Sequence, residues 1–296
     1  MASVAPAGRC RWWAWAIGMV LGAVMGSALA VTVQDDRGRA VTVGDAPTRV
    51  VSLLPSLTES VCALGACERL VGVDRYANWP ASVTRLPRVG GGLDPHIEAV
   101  VALRPDLVLM AGSARGQERL QALGIPVLLL EPKTHADIER TLRVLAQVLG
   151  LPAARAEAVW ADMQVQLRDV ASGLKPSVRD ARVYIEVSTA PHAAGEASFL
   201  GETLTRLGPR NIVGAALGPF PQINPEWVVR AQPDFILVAD SHLSSLLARP
   251  GWRELAAVRS KRVCTFSPAE SDVLVRPGPR LGDAARLIAR CLQGTP

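Results

Sequence analysis

The side chains able to do chemistry are few and scattered. The four histidines, His96, His135, His192 and His242, lie far apart with no partners at metal-ligand intervals, so a bare zinc or manganese site is not encoded. Serine, histidine and aspartate are all present. No Gly-x-Ser-x-Gly elbow follows a strand, however, and no glycine-rich phosphate loop occurs, which speaks against an exported hydrolase, the one catalytic alternative. What remains is recognition chemistry. Tyr76 stands beside Asn78-Trp79-Pro80, Phe220 is held between Pro219 and Pro221, and His192 sits in the loop Pro191-His-Ala-Ala-Gly195. Phenol and indole rings offer an apolar face with a polar tip, suited to a large ligand edged with polar groups. Asp272, Val273, Leu274, Val275 and Arg276 form a late segment able to add hydrogen bonds and apolar contact, with mutual pairing of Asp272 and Arg276 as the alternative. Glu98 and Glu226 complete the set, each in the first turn of an expected helix, where the helix dipole alone favours a carboxylate.

The balance of the chain agrees with binding. It has 296 residues, 49% hydrophobic and 20% charged, too apolar for a disordered chain. Its 32 basic and 27 acidic residues give a net charge of +5, but no basic run or stripe is present to track a phosphate backbone. Residues 1–30 read as a secretory signal: Arg9 and Arg11, an apolar run from Trp12, then Ala28-Leu-Ala30 as the cleavage site. A retained membrane anchor is the alternative. An exported protein leaves Cys62, Cys67, Cys264 and Cys291 in an oxidising compartment. The even count favours two disulfides, although four cysteines allow three pairings, and four buried thiols would be the alternative. Cys62 and Cys67 flank a helix end and could close a local loop. Cys264 would then tie a late strand to Cys291 on the last helix. No Cys-x-x-Cys occurs, so neither zinc nor thioredoxin-type chemistry is suggested.

The elements that must position these residues alternate. A small hairpin over Val31–Val43 precedes strands expected at Arg49–Leu54, Leu70–Val73, Asp106–Met110 and Pro126–Leu130. Helices are expected from Pro55 to Gly65, with Ser56 and Glu59 as a capping box, and at Pro95–Leu103, Gly116–Leu123 and Ala136–Leu149. The second half repeats the scheme, with strands at Ala181–Val187, Asp234–Val238 and Lys261–Phe266 and helices at Ser198–Leu207 and Leu281–Leu292. Short apolar strands alternating with helices predict an α/β fold with parallel sheets covered on both faces.

An internal repeat divides the chain. Glu98-Ala-Val-Val-Ala-Leu-Arg-Pro-Asp-Leu-Val-Leu matches Glu226-Trp-Val-Val-Arg-Ala-Gln-Pro-Asp-Phe-Ile-Leu position by position, with Asp94 and Asn224 as expected N-caps. One such helix-Pro-Asp-strand unit per half predicts two similar lobes, 31–150 and 177–296. Residues 151–176 join them. There Trp160, Met163, Leu167, Val170 and Leu174 form the apolar stripe of one helix over Ala153–Leu174, about 30 Å long at about 1.5 Å per residue. A single stiff strut limits hinge motion and leaves a cleft between the lobes as the ligand site.

With these motifs assembled, the chain resembles the helical-backbone (class III) periplasmic binding proteins. The resemblance runs from Arg49 to about Leu292 and is carried by Arg49-Val-Val-Ser-Leu-Leu-Pro-Ser-Leu-Thr-Glu59, Leu70-Val-Gly-Val-Asp-Arg-Tyr76 and Glu98 to Leu109. Such proteins serve ABC importers of cobalamin, ferric siderophores and haem. The resemblance implies a non-catalytic periplasmic monomer that holds cobalamin or another corrinoid in the cleft and presents it to a permease and ATPase complex. A ferric siderophore or haem is the alternative cargo, for which Arg75, Arg115 and Arg276 could supply basic groups. It implies ligand contacts from Tyr76, Trp79, His192, Phe220 and the segment Asp272–Arg276, read as part of a loop from Ser271 to Arg280. His192 could add an axial contact to cobalt or iron, and no resident cofactor or structural metal is implied. Glu98 and Glu226 would each dock onto an arginine pocket of the permease. Gly92 and Ala111 stand where cobalamin receptors of the family have cleft tryptophans, which implies a roomier, less aromatic cleft.

Overall fold

Alternation of buried apolar residues decides the architecture. In the computed structural model, which describes residues 1–3, 30–44 and 46–294, the expected signal segment falls almost entirely outside the described residues. A hairpin of β1 (Val31–Gln34) and β2 (Ala40–Val43) opens the described chain. The first lobe then runs β3 (Val50–Ser52), α1 (Pro55–Ala63), β4 (Leu70–Val73), α2 (Ile97–Ala102), β5 (Leu107–Met110), α3 (Gln117–Ala122), β6 (Val127–Leu129) and α4 (His135–Val148). Its four strands are parallel in the order β4-β3-β5-β6, with Val51 opposite Val108 and Leu109 opposite Leu128. The 20-residue α5 (Ala153–Ser172) leads to the second lobe, ending two residues earlier than the stripe suggested because Gly173 caps it.

The second lobe contains β7 (Arg182–Ser188), β8 (His192–Ala193), α6 (Phe199–Leu207), β9 (Arg210–Asn211), α7 (Pro225–Ala231), β10 (Phe235–Ala239), α8 (Leu243–Leu247), α9 (Ala256–Arg259), β11 (Val263–Phe266), α10 (Pro268–Val275) and α11 (Leu281–Gln293). Its sheet runs β11-β10-β7-β8 with β9 also beside β7, all parallel except β8.

Side chains two apart along each strand share a face, and the two faces feed different clusters. Val51, Val108 and Met110 pack outward with Ile97, Val100 and Leu120 of α2 and α3. Tyr184, Ile236 and Val238 pack outward with Val228, Leu246 and Trp252. The inner faces, Val50, Leu107 and Leu109 of one sheet and Val183, Phe235 and Leu237 of the other, join one continuous cluster. It also includes Leu142 of α4, Met163 and Leu167 of α5, Leu204 of α6 and Ile288 of α11. The two sheets are thus separated by a shared helical layer. The disulfides Cys62–Cys67 and Cys264–Cys291 are both formed, as the spacing predicted.

The repeat is visible in three dimensions and extends further than the sequence match. Helices α2 and α7 each end at a residue in the left-handed region, Arg104 (φ 47°) and Gln232 (φ 48°), directly before a proline. The aspartate that follows is held by the strand start of the same lobe. Asp106 accepts the backbone N–H of Arg49 at 3.0 Å, and Asp234 accepts that of Arg182 at 2.8 Å. Both arginines turn back onto carbonyls at the helix end, Leu103 and Ala231.

Three local expectations need correction. Helix α1 has no capping box: Pro55 at its first position sets the helical φ without a side-chain cap, and Glu59 is drawn elsewhere. Asp94 does not cap α2, which begins three residues later after His96. It pairs with Arg75 instead, whereas Asn224 does cap α7 through the Glu226 N–H at 2.9 Å. The segment from Ser271 to Val275 is helix rather than loop. Ser267 and Glu270 form a reciprocal capping box that starts α10.

Candidate functional site

Parallel strands place the loops that follow them on one edge of a sheet, where ligands of α/β folds bind. The polar contacts described next between the lobes join such segments or the helices that follow them. From the first lobe come the loop after β4, bearing Tyr76 and Trp79, and the loop from Glu131 to Thr134 after β6. From the second come the start of α6 and the segment from α10 into Arg280. A depression of about 630 Å³ around Lys261 and Arg262 lies at the strand starts of the second sheet, and one of about 470 Å³ runs along the outer strand β11 from Lys261 to Phe266.

Tyr76 is 63% exposed and Trp79 38% exposed, unusual for large aromatic groups in a chain with only four phenylalanines and two tyrosines. The Arg75 guanidinium stands 5.9 Å from the Tyr76 ring centre and that of Arg280 5.2 Å from Trp79. The run Gly90-Gly91-Gly92 lies beside them. A Cβ on Gly90, which has φ of +92°, would meet the Asp94 carbonyl at 2.5 Å, and one on Gly91 would come within 3.7 Å of the Tyr76 ring. Gly90 is thus required by the turn itself, while the approach of Gly91 to the tyrosine is an ordinary van der Waals contact. A Cβ on Gly92 would meet only the Leu53 carbonyl, at 3.3 Å, and Ala111 is buried at the end of β5.

Beneath Tyr76 lies Asp74, buried at the C-terminal end of β4. Its Oδ1 accepts the Tyr76 N–H at 2.7 Å, while Oδ2 has no hydrogen-bond partner among the described residues. Burial pushes its pKa up to about 6, and the Tyr76 amide and the positive charges of Arg276 and Arg88 only partly oppose that rise.

The second lobe brings its own residues to the same edge. His192 starts β8 and is half-buried. Its Nδ1 lies 2.6 Å from the Ala190 carbonyl, which can only accept, so Nδ1 carries the proton and Nε2 keeps its lone pair in the neutral ring. Phe220 is half-buried, its ring centre 6.1 Å from that of Phe199. In α10, Leu274 is buried, Val273 packs against the shared core and Val275 is 47% exposed. Together with Val187, Leu200 and Ala239, Leu274 and Val275 line an apolar recess of about 30 Å³ at the strand ends.

Asp272 and Arg276 are engaged by the protein itself. Arg276 is 7% exposed. It donates to Glu59 Oε1 at 2.9 Å, Asn78 Oδ1 at 2.7 Å and the Tyr76 carbonyl at 2.9 Å, and it pairs with Asp272 at 2.8 Å. Asn78 in turn donates to Asp272 at 2.7 Å. Arg280 adds two bonds to Glu59, at 2.9 and 2.6 Å. Sequence reasoning missed Glu59, Asn78 and Arg280 as members of this site. Arg276 and Arg280, four apart around Pro277-Gly-Pro279, hint at a carboxylate clasp, but nothing in the sequence points to a partner more than two hundred residues away.

A second seam closes the far side. His135 Nε2 lies 3.0 Å from the Phe199 carbonyl and 2.9 Å from Thr203 Oγ1, and Phe199 N–H donates to the Lys133 carbonyl at 2.7 Å. Burial, with the nearby Arg206 charge, pushes the His135 pKa down to about 4. Glu98 and Glu226 lie away from both seams. Each is exposed at the second position of its helix, on the outer side of its sheet, and Glu98 makes only a loose pair with Arg119 at 3.4 Å.

Residues 50–269 match the family described as periplasmic binding protein. The vitamin B12-binding protein of Pectobacterium carotovorum subsp. carotovorum (strain PC1) is 31% identical over 247 residues, which cover 82% of this chain and 87% of that protein. An uncharacterized ABC transporter substrate-binding lipoprotein of Bacillus subtilis (strain 168), YvrC, is 30% identical over 273 residues, covering 88% and 85%. Among solved structures, a periplasmic haem-binding protein from Pseudomonas aeruginosa superposes with a TM-score of 0.72 at 28% identity, over 84% of this chain and 94% of its own.

Proposed function

The chain belongs to the periplasmic binding protein family, and from that premise we propose that it captures cobalamin or a related corrinoid between its lobes and delivers it to an ABC importer, without catalysing a reaction. The observation that carries this reading is the exposed pair Tyr76 and Trp79 on the strand-end edge that faces the second lobe, in a chain whose other described tryptophans, Trp160, Trp227 and Trp252, are packed against the apolar clusters. Two rings with polar tips can cover the face and amide rim of a macrocycle, and the 31% identity with a vitamin B12-binding protein over 82% of the chain supports the cargo. His192, with its Nε2 lone pair available, is a proposed axial contact for the bound metal. Such capture needs no partner copy, so the protein acts as a monomer outside the cytoplasmic membrane, exported by its leader.

Haem is the second reading, favoured by the similarity to a haem-binding receptor. Calorimetric titration with cyanocobalamin and, in parallel, with haemin tests both. Saturable one-to-one binding of cyanocobalamin supports the corrinoid assignment. Binding of haemin alone, with a Soret band in the purified complex, replaces it.

A further inference from the structure

The side chain of Glu59 is 1% exposed, yet it carries a carboxylate in the middle of α1. Leaving such a group buried without partners would be strongly destabilising. Its partners come from the other lobe: Arg276 supplies one hydrogen bond and Arg280 two, at 2.6–2.9 Å. Arg276 does not stop at Glu59. The same guanidinium holds the Tyr76 carbonyl and Asn78 Oδ1, and Asp272 on the same turn of α10 holds the Asn78 amide. Among the described residues, every polar group that fixes Tyr76–Asn78 from outside its own lobe therefore passes through Arg276 or its neighbour Asp272, and Arg276 is itself anchored on Glu59. The fork of a guanidinium can serve all these acceptors at once, which an ammonium cannot.

We infer that Glu59 and Arg276 are positioning residues: Arg276, anchored on Glu59, fixes from across the cleft where the Tyr76–Trp79 loop presents its aromatic rings. This deepens the ligand reading given above, and its affinity arm rests on that reading. A purely structural ion pair would lower stability without selectively freeing this loop.

The test combines amide hydrogen exchange with a double-mutant cycle. In Glu59→Gln, the amides of Tyr76 and Ala77, which donate to Asp74, should exchange at least tenfold faster, while those of β5 and β7 keep their protection. Arg276→Lys, which retains the charge but not the fork, should show the same loosening and guards against a Glu59 variant that fails to fold. Affinity for cyanocobalamin should fall about tenfold in Glu59→Gln, but hardly further when Tyr76→Ala is already present. Unchanged exchange at Tyr76 and Ala77 in both variants, or a Glu59→Gln effect on affinity that multiplies undiminished with Tyr76→Ala, overturns the inference. If cyanocobalamin does not bind the parent protein, the cargo reading fails, and the exchange measurement alone decides the positioning role.

Discussion

Glu98 and Glu226 occupy equivalent places in the two lobes: each is the second residue of a helix that ends six residues later at a left-handed residue, Arg104 or Gln232. A helix dipole accounts for either carboxylate singly. The equivalence of their setting on the outer side of both sheets fits a two-point docking surface for a permease. Replacing both by alanine should leave cyanocobalamin affinity unchanged and cut importer-dependent uptake at least tenfold. Uptake at the parental rate would remove the docking role.

Tyr76 is largely exposed, so its ring adds little to packing. Tyr76→Ala should therefore weaken ligand binding about tenfold while shifting the thermal midpoint by no more than about 2 °C, within the range of a surface change for a chain of this length. A dissociation constant equal to that of the parent would place the ligand elsewhere.

Asp74 gives stability a definite slope with pH. Its folded-state pKa of about 6 lies above the ordinary 3.8, so the folded protein holds the proton between those values. The contribution is full below about pH 4 and is lost as pH rises through about 6, an effect of about 3 kcal/mol. In urea titrations at pH 4 and pH 7.5, Asp74→Asn should gain that amount on the parent as pH increases. Parallel curves for the two proteins would contradict the assignment.

His135 works in the opposite sense. Its folded-state pKa of about 4 lies below the ordinary 6.5, so the neutral ring stabilises the seam fully above about pH 6.5 and the contribution fades as pH falls toward 4. The size is again about 3 kcal/mol. His135→Gln should lose less stability than the parent between pH 7 and pH 4, and a nuclear magnetic resonance titration should place the ring near pH 4. A midpoint near 6.5 would mean that the ring is solvated.

Most of the fold was legible because its signals are local. The strand Leu70–Val73 and the helix that starts at Leu281 follow from apolar runs and periodicity alone. The repeat of Pro105-Asp106 at Pro233-Asp234 announced two lobes, since each aspartate serves a backbone turn inside its own lobe. Helix α10 was readable from Ser267 and Glu270, but the resemblance drew attention to Ser271 as the start of a loop. The pairing of Asp272 with Arg276 was readable from their spacing of four, whereas their engagement by Asn78 and Glu59 was not. That pairing depends on how two sheets are set against a common helix, and side-chain partners so distant in sequence leave no periodic trace. Glu59 misled for a related reason: three residues after a serine it satisfies the pattern of a cap, while the proline at the helix start makes a side-chain cap unnecessary.

The helical layer shared by the two sheets has a consequence for how the molecule comes apart. Because Met163 and Leu167 of the strut touch one apolar mass with residues from both ends of the chain, neither half owns a complete interior. Melting should thus proceed as one calorimetric event, and a fragment cut at Gly173 should aggregate rather than survive as a free-standing module.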